Sequence, residues 1–151
     1  LYIFYKVKDM SVNNIQNIVN CIMEEKVMKQ TLMERLEILQ SANLIDEDVF
    51  SFCEKVVNYF LDQTSEWPQE NMEIFITHLA MAANRAKKGE AEGSLDDAIK
   101  EALKQEDIYD EAKRMLDYIL KLTTICFPES EVDLLLVHVC TLCKARRESL
   151  K

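Results

Sequence analysis

The 151-residue chain has very little glycine, proline or histidine, with two residues of each. Sandwiches and barrels need many tight turns, and phosphate-binding loops need several glycines, so this scarcity argues against all three. With 48% hydrophobic and 30% charged residues, the composition is that of a globular protein. A chain of this length can bury a sizeable core as one domain. Together these counts predict an all-α fold.

Positive charge is also scarce, since 18 basic side chains face 27 acidic ones and the net charge is −9. That excess repels a phosphate backbone, so we expect no direct nucleic-acid partner. No apolar run approaches the roughly 18–20 residues of a membrane span, so we expect no membrane association. The opening segment, residues 1–5, lacks the features of a signal peptide. We interpret residues 1–10 as a trimmed start, with Met10 as an alternative first residue.

The five cysteines form no disulfide framework, which favours a reducing cytoplasm. Cys140 and Cys143 form a C-x-x-C close to His138, but the three lie on different faces of one predicted helix. They therefore cannot close on one metal ion, and no second C-x-x-C completes a ligand set. We interpret all five cysteines as buried small hydrophobic residues and expect no metal and no cofactor. A zinc sensor built from histidine and cysteine remains a minor alternative.

Hydrophobic periodicity, capping residues and breakers predict seven helical segments. They cover residues 12–29, residues 31–40 after a capping box at Thr31, a segment capped by Asp46, residues 70–88 before Gly89, a short helix opened by Gly93-Ser94, residues 108–125, and a last helix from Ser130 to about 147.

The balance of acidic and basic residues changes near residues 41–43, where the predicted helix is interrupted. Residues 1–45 hold five basic and five acidic side chains, whereas residues 46–151 hold 13 basic and 22 acidic ones and carry the whole −9. The shift predicts two units. These are an N-terminal helical extension, residues 1–45, and an acidic five-helix module, residues 46–151.

The two histidines, His78 and His138, each lie inside a strongly apolar predicted helix. Arg85 shares a helix face with His78, and Glu131 shares a stripe with His138. One interpretation makes both of them core histidines that a neighbour hydrogen-bonds. The other makes an imidazole a nucleophile that accepts phosphate, with Arg85 pairing with the added charge. The sequence offers no recognisable set of a nucleophile, a general base and a residue that orients the base, so we do not expect an enzyme.

Three stretches around these histidines resemble the PTS regulation domain (PRD), a module of the bacterial phosphoenolpyruvate:sugar phosphotransferase system (PTS). His78-Leu-Ala-Met-Ala-Ala-Asn-Arg85, followed by Gly89, is similar to its first motif, H-[LI]-x-x-A-x-x-R…G. Tyr109-Asp-Glu-Ala112 matches its Y-x-x-A helix. Pro128-Glu-Ser-Glu131 leads into Glu131…His138-Val139, which is similar to its E-[IV]-x-x-L-x-x-H-[IV] helix. The resemblance covers about residues 46–147.

The resemblance implies a compact five-helix bundle like the regulatory domains of bacterial sugar-operon antiterminators and activators. It implies that His78 and His138 accept phosphate from the PTS phosphocarrier protein or a sugar-specific transporter component. Phosphorylation would then shift homodimerisation and the signal to a separate output protein. Arg85 would stabilise the phosphorylated or dimeric form. From their shared stripe, Glu131 would orient the imidazole of His138. The alternative is a helical dimerisation or structural module without phosphate chemistry.

Overall fold

The computed structural model describes residues 11–64 and 66–151, and this part of the chain contains six helices and no strand. The helices are α1 (Val12–Ser41), α2 (Glu47–Gln63), α3 (Gln69–Lys87), α4 (Asp97–Lys104), α5 (Tyr109–Leu120) and α6 (Glu129–Ser149). The predicted all-α class is confirmed. None of these helices is long and apolar enough to cross a membrane. Residues 1–10, with the trimmed start and Met10, lie outside the described residues.

Val12–Ser41 forms one helix of 30 residues, so the prediction of two helices between residues 12 and 40 is wrong. Thr31 caps nothing, because its hydroxyl donates to the Val27 carbonyl one turn earlier, at 3.0 Å. A capping box works only where the chain enters a helix, and no glycine or proline interrupts residues 12–41. Met28, Leu32 and Leu36 are all buried at a spacing of four, which requires an unbroken helical register.

Two predicted helix boundaries, the start of α2 at Asp46 and the end of α3 before Gly89, are confirmed. The Asp46 side chain accepts the Val49 N–H at 3.0 Å and begins α2. Helix α3 ends before Gly89, whose φ of +70° is the left-handed conformation that glycine adopts most readily. Lys87, in the last turn of α3, pairs with Asp48 of α2 at 2.9 Å. The end of α3 is therefore tied to the start of α2.

Three boundaries in the second half of the chain differ from prediction. Helix α4 begins at Asp97, capped by Asp96, and not at residues 93–94. Helix α5 ends at Leu120 instead of 125, because the Thr123 hydroxyl accepts the Ile125 N–H at 3.1 Å and turns the chain. Helix α6 begins after Pro128 at an extended ψ of 152°, so Ser130 lies inside the helix and does not cap it.

The core is formed where α3 packs against α2, α6 and the second half of α1. Phe60 contacts Trp67 and Phe75 edge-to-face, with ring centroids 5.0 and 5.3 Å apart. The Trp67 Nε1–H donates to the Phe60 carbonyl at 2.9 Å, so this buried indole is satisfied. Because α3 is held on several sides, the face that carries His78 has a fixed position opposite α6.

Candidate functional site

The structure brings His78 of α3 and His138 of α6 face to face. Their imidazole centroids are 4.1 Å apart and the rings are within 11° of parallel. The residues lie 60 positions apart in the sequence and meet because α3 and α6 pack against each other. The two histidines therefore form a single site, which we call the histidine pair.

The histidine pair faces outward. His78 is exposed and His138 is half-buried, and neither imidazole hydrogen-bonds to another residue within 11–64 and 66–151. The interpretation of both as core histidines held by a neighbour is therefore wrong. An exposed imidazole without a protein partner is open to a small molecule or to a donor protein.

The pair lines a pocket of about 260 Å³ between α3, α6 and the α3–α4 connection. Its walls are formed by His78, Ala82, Arg85, Glu92, Glu131, Leu134, Leu135 and His138. A water molecule's share of liquid volume is about 30 Å³, so the pocket has room for a small polar group. Arg85 is the one cation in that wall.

Arg85 and Glu131 form a bidentate ion pair between α3 and α6, at the floor of the pocket. Arg85 Nε and Nη2 donate to the two Glu131 oxygens at 2.9 and 3.1 Å. The Glu92 backbone N–H donates to Glu131 Oε1 at 2.9 Å, and the Glu131 side chain is fully buried. Hydrogen bonding to Arg85 lowers the pKa of Glu131 despite its burial, and the same contact raises the pKa of Arg85. The carboxylate is thus ionised and well satisfied.

Glu131 does not orient His138 as predicted. Both of its oxygens are taken by Arg85 and the Glu92 backbone, and it makes no hydrogen bond to His138. Seven residues return to the same helix face but lie about 10.5 Å apart along the axis, and helical side chains point towards the N-terminus. Glu131 therefore reaches away from His138 and holds Arg85 instead.

The nucleophilic form of His138 is favoured at neutral pH. Desolvation lowers the pKa of His138, the adjacent His78 lowers it further, and the carboxylate of Glu92 partly opposes them. A neutral imidazole keeps a lone pair on one nitrogen, which is what nucleophilic attack requires. The arrangement can therefore accept an electrophilic group beside Arg85.

Glu92 is the charged residue of the pocket that the sequence does not reveal. Its Oε1 lies 3.6 Å from Arg85 Nη1, although 62% of its side chain is exposed. It follows α3 in an irregular segment, residues 88–96, where no periodicity indicates which way a side chain points. Nothing in its spacing from His78 or Arg85 could have identified it.

The cysteines divide into two groups. Cys53, Cys140 and Cys143 are buried, as predicted, and desolvation raises their thiol pKa values to about 12, 11 and 12. Cys21 and Cys126 are exposed, contrary to prediction, because the first half of α1 extends past the core and Cys126 lies in the segment between α5 and α6. No group of three metal-ligating side chains occurs in the described part of the chain.

Asp96, Glu111, Arg146 and Arg147 have structural partners away from the histidine pair. Asp96 accepts the Ala98 N–H at 2.8 Å and caps α4. Glu111 of α5 binds Arg146 and lies 3.5 Å from Arg147 of α6. The Arg146 guanidinium also lies 4.1 Å from the centroid of Trp67. These arginines fasten α6 to its neighbours and lie outside the pocket wall.

Comparison with protein families gives one match, to a family model described as PRD domain, over residues 47–141. The matched region runs from the first residue of α2 into α6 and contains both members of the histidine pair. No curated protein and no solved structure matches the chain.

Proposed function

Since the chain belongs to the PRD domain family, whose members are regulatory domains of the PTS, we propose that it is a transcription-related regulatory domain controlled by phosphorylation of His78 and His138. The observation that carries this proposal is the histidine pair itself. Two stacked, outward-facing imidazoles share one pocket with one arginine.

Phosphorylation would change the charge balance of this pocket. With neutral histidines, Arg85 faces Glu131 and Glu92, so the wall carries a net charge of −1. A phosphoryl group adds about −1.5 to −2 at pH 7 and three acceptor oxygens. Such a charge must find a cation or disturb the surface that presents it. The change would therefore alter how this face associates with another protein.

The proposed partners are those that membership of the PRD domain family implies. The phosphoryl donor is the PTS phosphocarrier protein or a sugar-specific transporter component, and the module acts in the cytoplasm. The phosphorylation state sets homodimer formation and the signal passed to an output protein on a separate chain. Because the phosphoryl group ends on the protein itself, the module is a target of transfer and not an enzyme. Its charge of −9 favours protein partners over nucleic acid.

The test is phosphotransfer from phosphoenolpyruvate through the purified PTS components. We expect an acid-labile, alkali-stable label that is lost in the His78→Ala, His138→Ala double variant. The two single variants show which imidazole accepts it. Thr141→Ala, at an exposed position one turn beyond His138, is the matched control and should keep the label. Size-exclusion chromatography then compares the association of the labelled and unlabelled forms.

An unlabelled wild-type protein would contradict the proposal. If histidine replacement then changes only thermal stability and leaves association unchanged, the chain is a structural module without phosphate chemistry.

A further inference from the structure

Glu92 places a second carboxylate beside the one cation of the histidine pocket. Its Oε1 is 3.6 Å from Arg85 Nη1, the guanidinium nitrogen that makes no hydrogen bond to Glu131. Glu92 lines the pocket together with His78 and His138. A negative charge of the protein therefore already lies beside the one arginine that lines the pocket with both imidazoles.

The two carboxylates hold Arg85 with different strength. Glu131 is fully buried and makes two hydrogen bonds to Arg85, so losing the arginine would strand a buried charge. The Glu92 side chain is 62% exposed and can turn into water at little cost. A new anion at the histidine pair would therefore displace Glu92 and leave Glu131 in place. The hydrogen bond from the Glu92 backbone N–H to Glu131 need not break when the Glu92 side chain turns away from Arg85.

We propose that the Glu92 carboxylate competes with the incoming phosphoryl group for Arg85 Nη1 and so restrains phosphorylation of the histidine pair. This rests on the proposed function and adds the residue that sets how readily the pocket accepts the group. Glu92 acts through Arg85 and is a positioning residue. It does not itself bind the phosphoryl group, since two anions repel each other.

The test uses phosphoramidate, a small chemical donor that needs no PTS protein. The imidazole lone pair forms a new N–P bond, the P–N bond of protonated phosphoramidate breaks, ammonia leaves with that electron pair, and the imidazolium proton passes to solvent. Intact-mass spectrometry follows the initial rate. We expect Glu92→Gln to be labelled about two- to fivefold faster than wild type, the range that corresponds to loss of an exposed ion pair.

Two further variants separate charge from structure. Glu92→Asp keeps the carboxylate and should return the rate towards the wild-type value. Glu106→Gln removes another exposed carboxylate, from the connection between α4 and α5, and should react like wild type. A Glu92→Gln rate equal to that of Glu106→Gln would overturn the proposal. So would Glu92→Asp reacting as fast as Glu92→Gln, or a wild-type protein left unlabelled while free imidazole in the same solution is phosphorylated.

This outcome is independent of the enzymatic one. Failure of the PTS components to label the protein would leave the phosphoramidate rates interpretable. Equal rates across the variants would leave enzymatic labelling unaffected.

Discussion

Arg85→Met should destabilise the protein far more than its partial exposure suggests. The substitution leaves Glu131, which is fully buried, without the two hydrogen bonds that balance its charge. Breaking a buried pair by removing one partner costs about 3–5 kcal/mol. Because the Arg85 side chain is itself 24% exposed, water can reach part of the site and the lower end, about 3 kcal/mol, is expected. Urea unfolding at pH 7 measures the change in the free energy of unfolding.

The pH dependence identifies the cause. In the wild type the pKa of Glu131 is lowered, so its contribution to stability is present above the ordinary value of 4.5 and is lost as pH falls through the lowered pKa. Without Arg85, desolvation should raise that pKa, and the variant should recover stability as the carboxyl is protonated. The gap between the variant and the wild type must therefore shrink as the pH is lowered from 7 to 4.

Two controls make the result decisive. Arg114→Met changes an exposed arginine on α5 and should cost less than about 0.5 kcal/mol. Arg85→Met combined with Glu131→Leu removes both charges, and such replacements are often neutral or stabilising, so it should recover most of the loss. Two results would contradict this reasoning. One is a free energy of unfolding for Arg85→Met within about 0.5 kcal/mol of that for Arg114→Met. The other is a loss of stability in Arg85→Met that does not change with pH.

Two further predictions concern the stability of the folded protein. The lowered pKa of His138 means that its neutral form is favoured in the folded state, so stability is present above the ordinary value of 6.5 and is lost as pH falls through the lowered pKa. His138→Gln should flatten this part of a Tm profile between pH 5 and 8, and an unchanged slope would contradict it. Leu32→Ala should cost about 2–5 kcal/mol because the side chain is fully buried, whereas Ile38→Ala, 69% exposed on the same helix, should cost under about 0.5 kcal/mol in urea unfolding. Equal losses would mean that the second half of α1 is not part of the core.

Helix boundaries that depend on one local interaction can be predicted from the sequence. Boundaries that depend on tertiary packing cannot. Asp46 and Gly89 act through their own backbone surroundings, so their positions in the sequence predict a helix start and a helix end. Thr31 has the spacing of a capping box but lies in mid-helix, because burial of Leu32 and Leu36 against α2 and α3 requires continuity. The spacing of four from Met28 to Leu36 is compatible with one helix, but the sequence does not show that these side chains are buried.

The site shows the same limit at the level of side chains. Motif resemblance singles out His78 and His138, which the structure brings together, and periodicity places Arg85 on the face of α3 that carries His78. Neither could decide what Arg85 binds, because a shared stripe gives the direction of a side chain and not its distance to a partner. The shared stripe predicts a contact between Glu131 and His138, whereas in the structure Glu131 accepts hydrogen bonds from Arg85. Glu92 belongs to a segment without periodicity, so its place at the pocket depends on how the α3–α4 connection folds over the Arg85–Glu131 pair, to which its own backbone is hydrogen-bonded. The residue that we propose restrains phosphorylation is thus one that only tertiary structure could reveal.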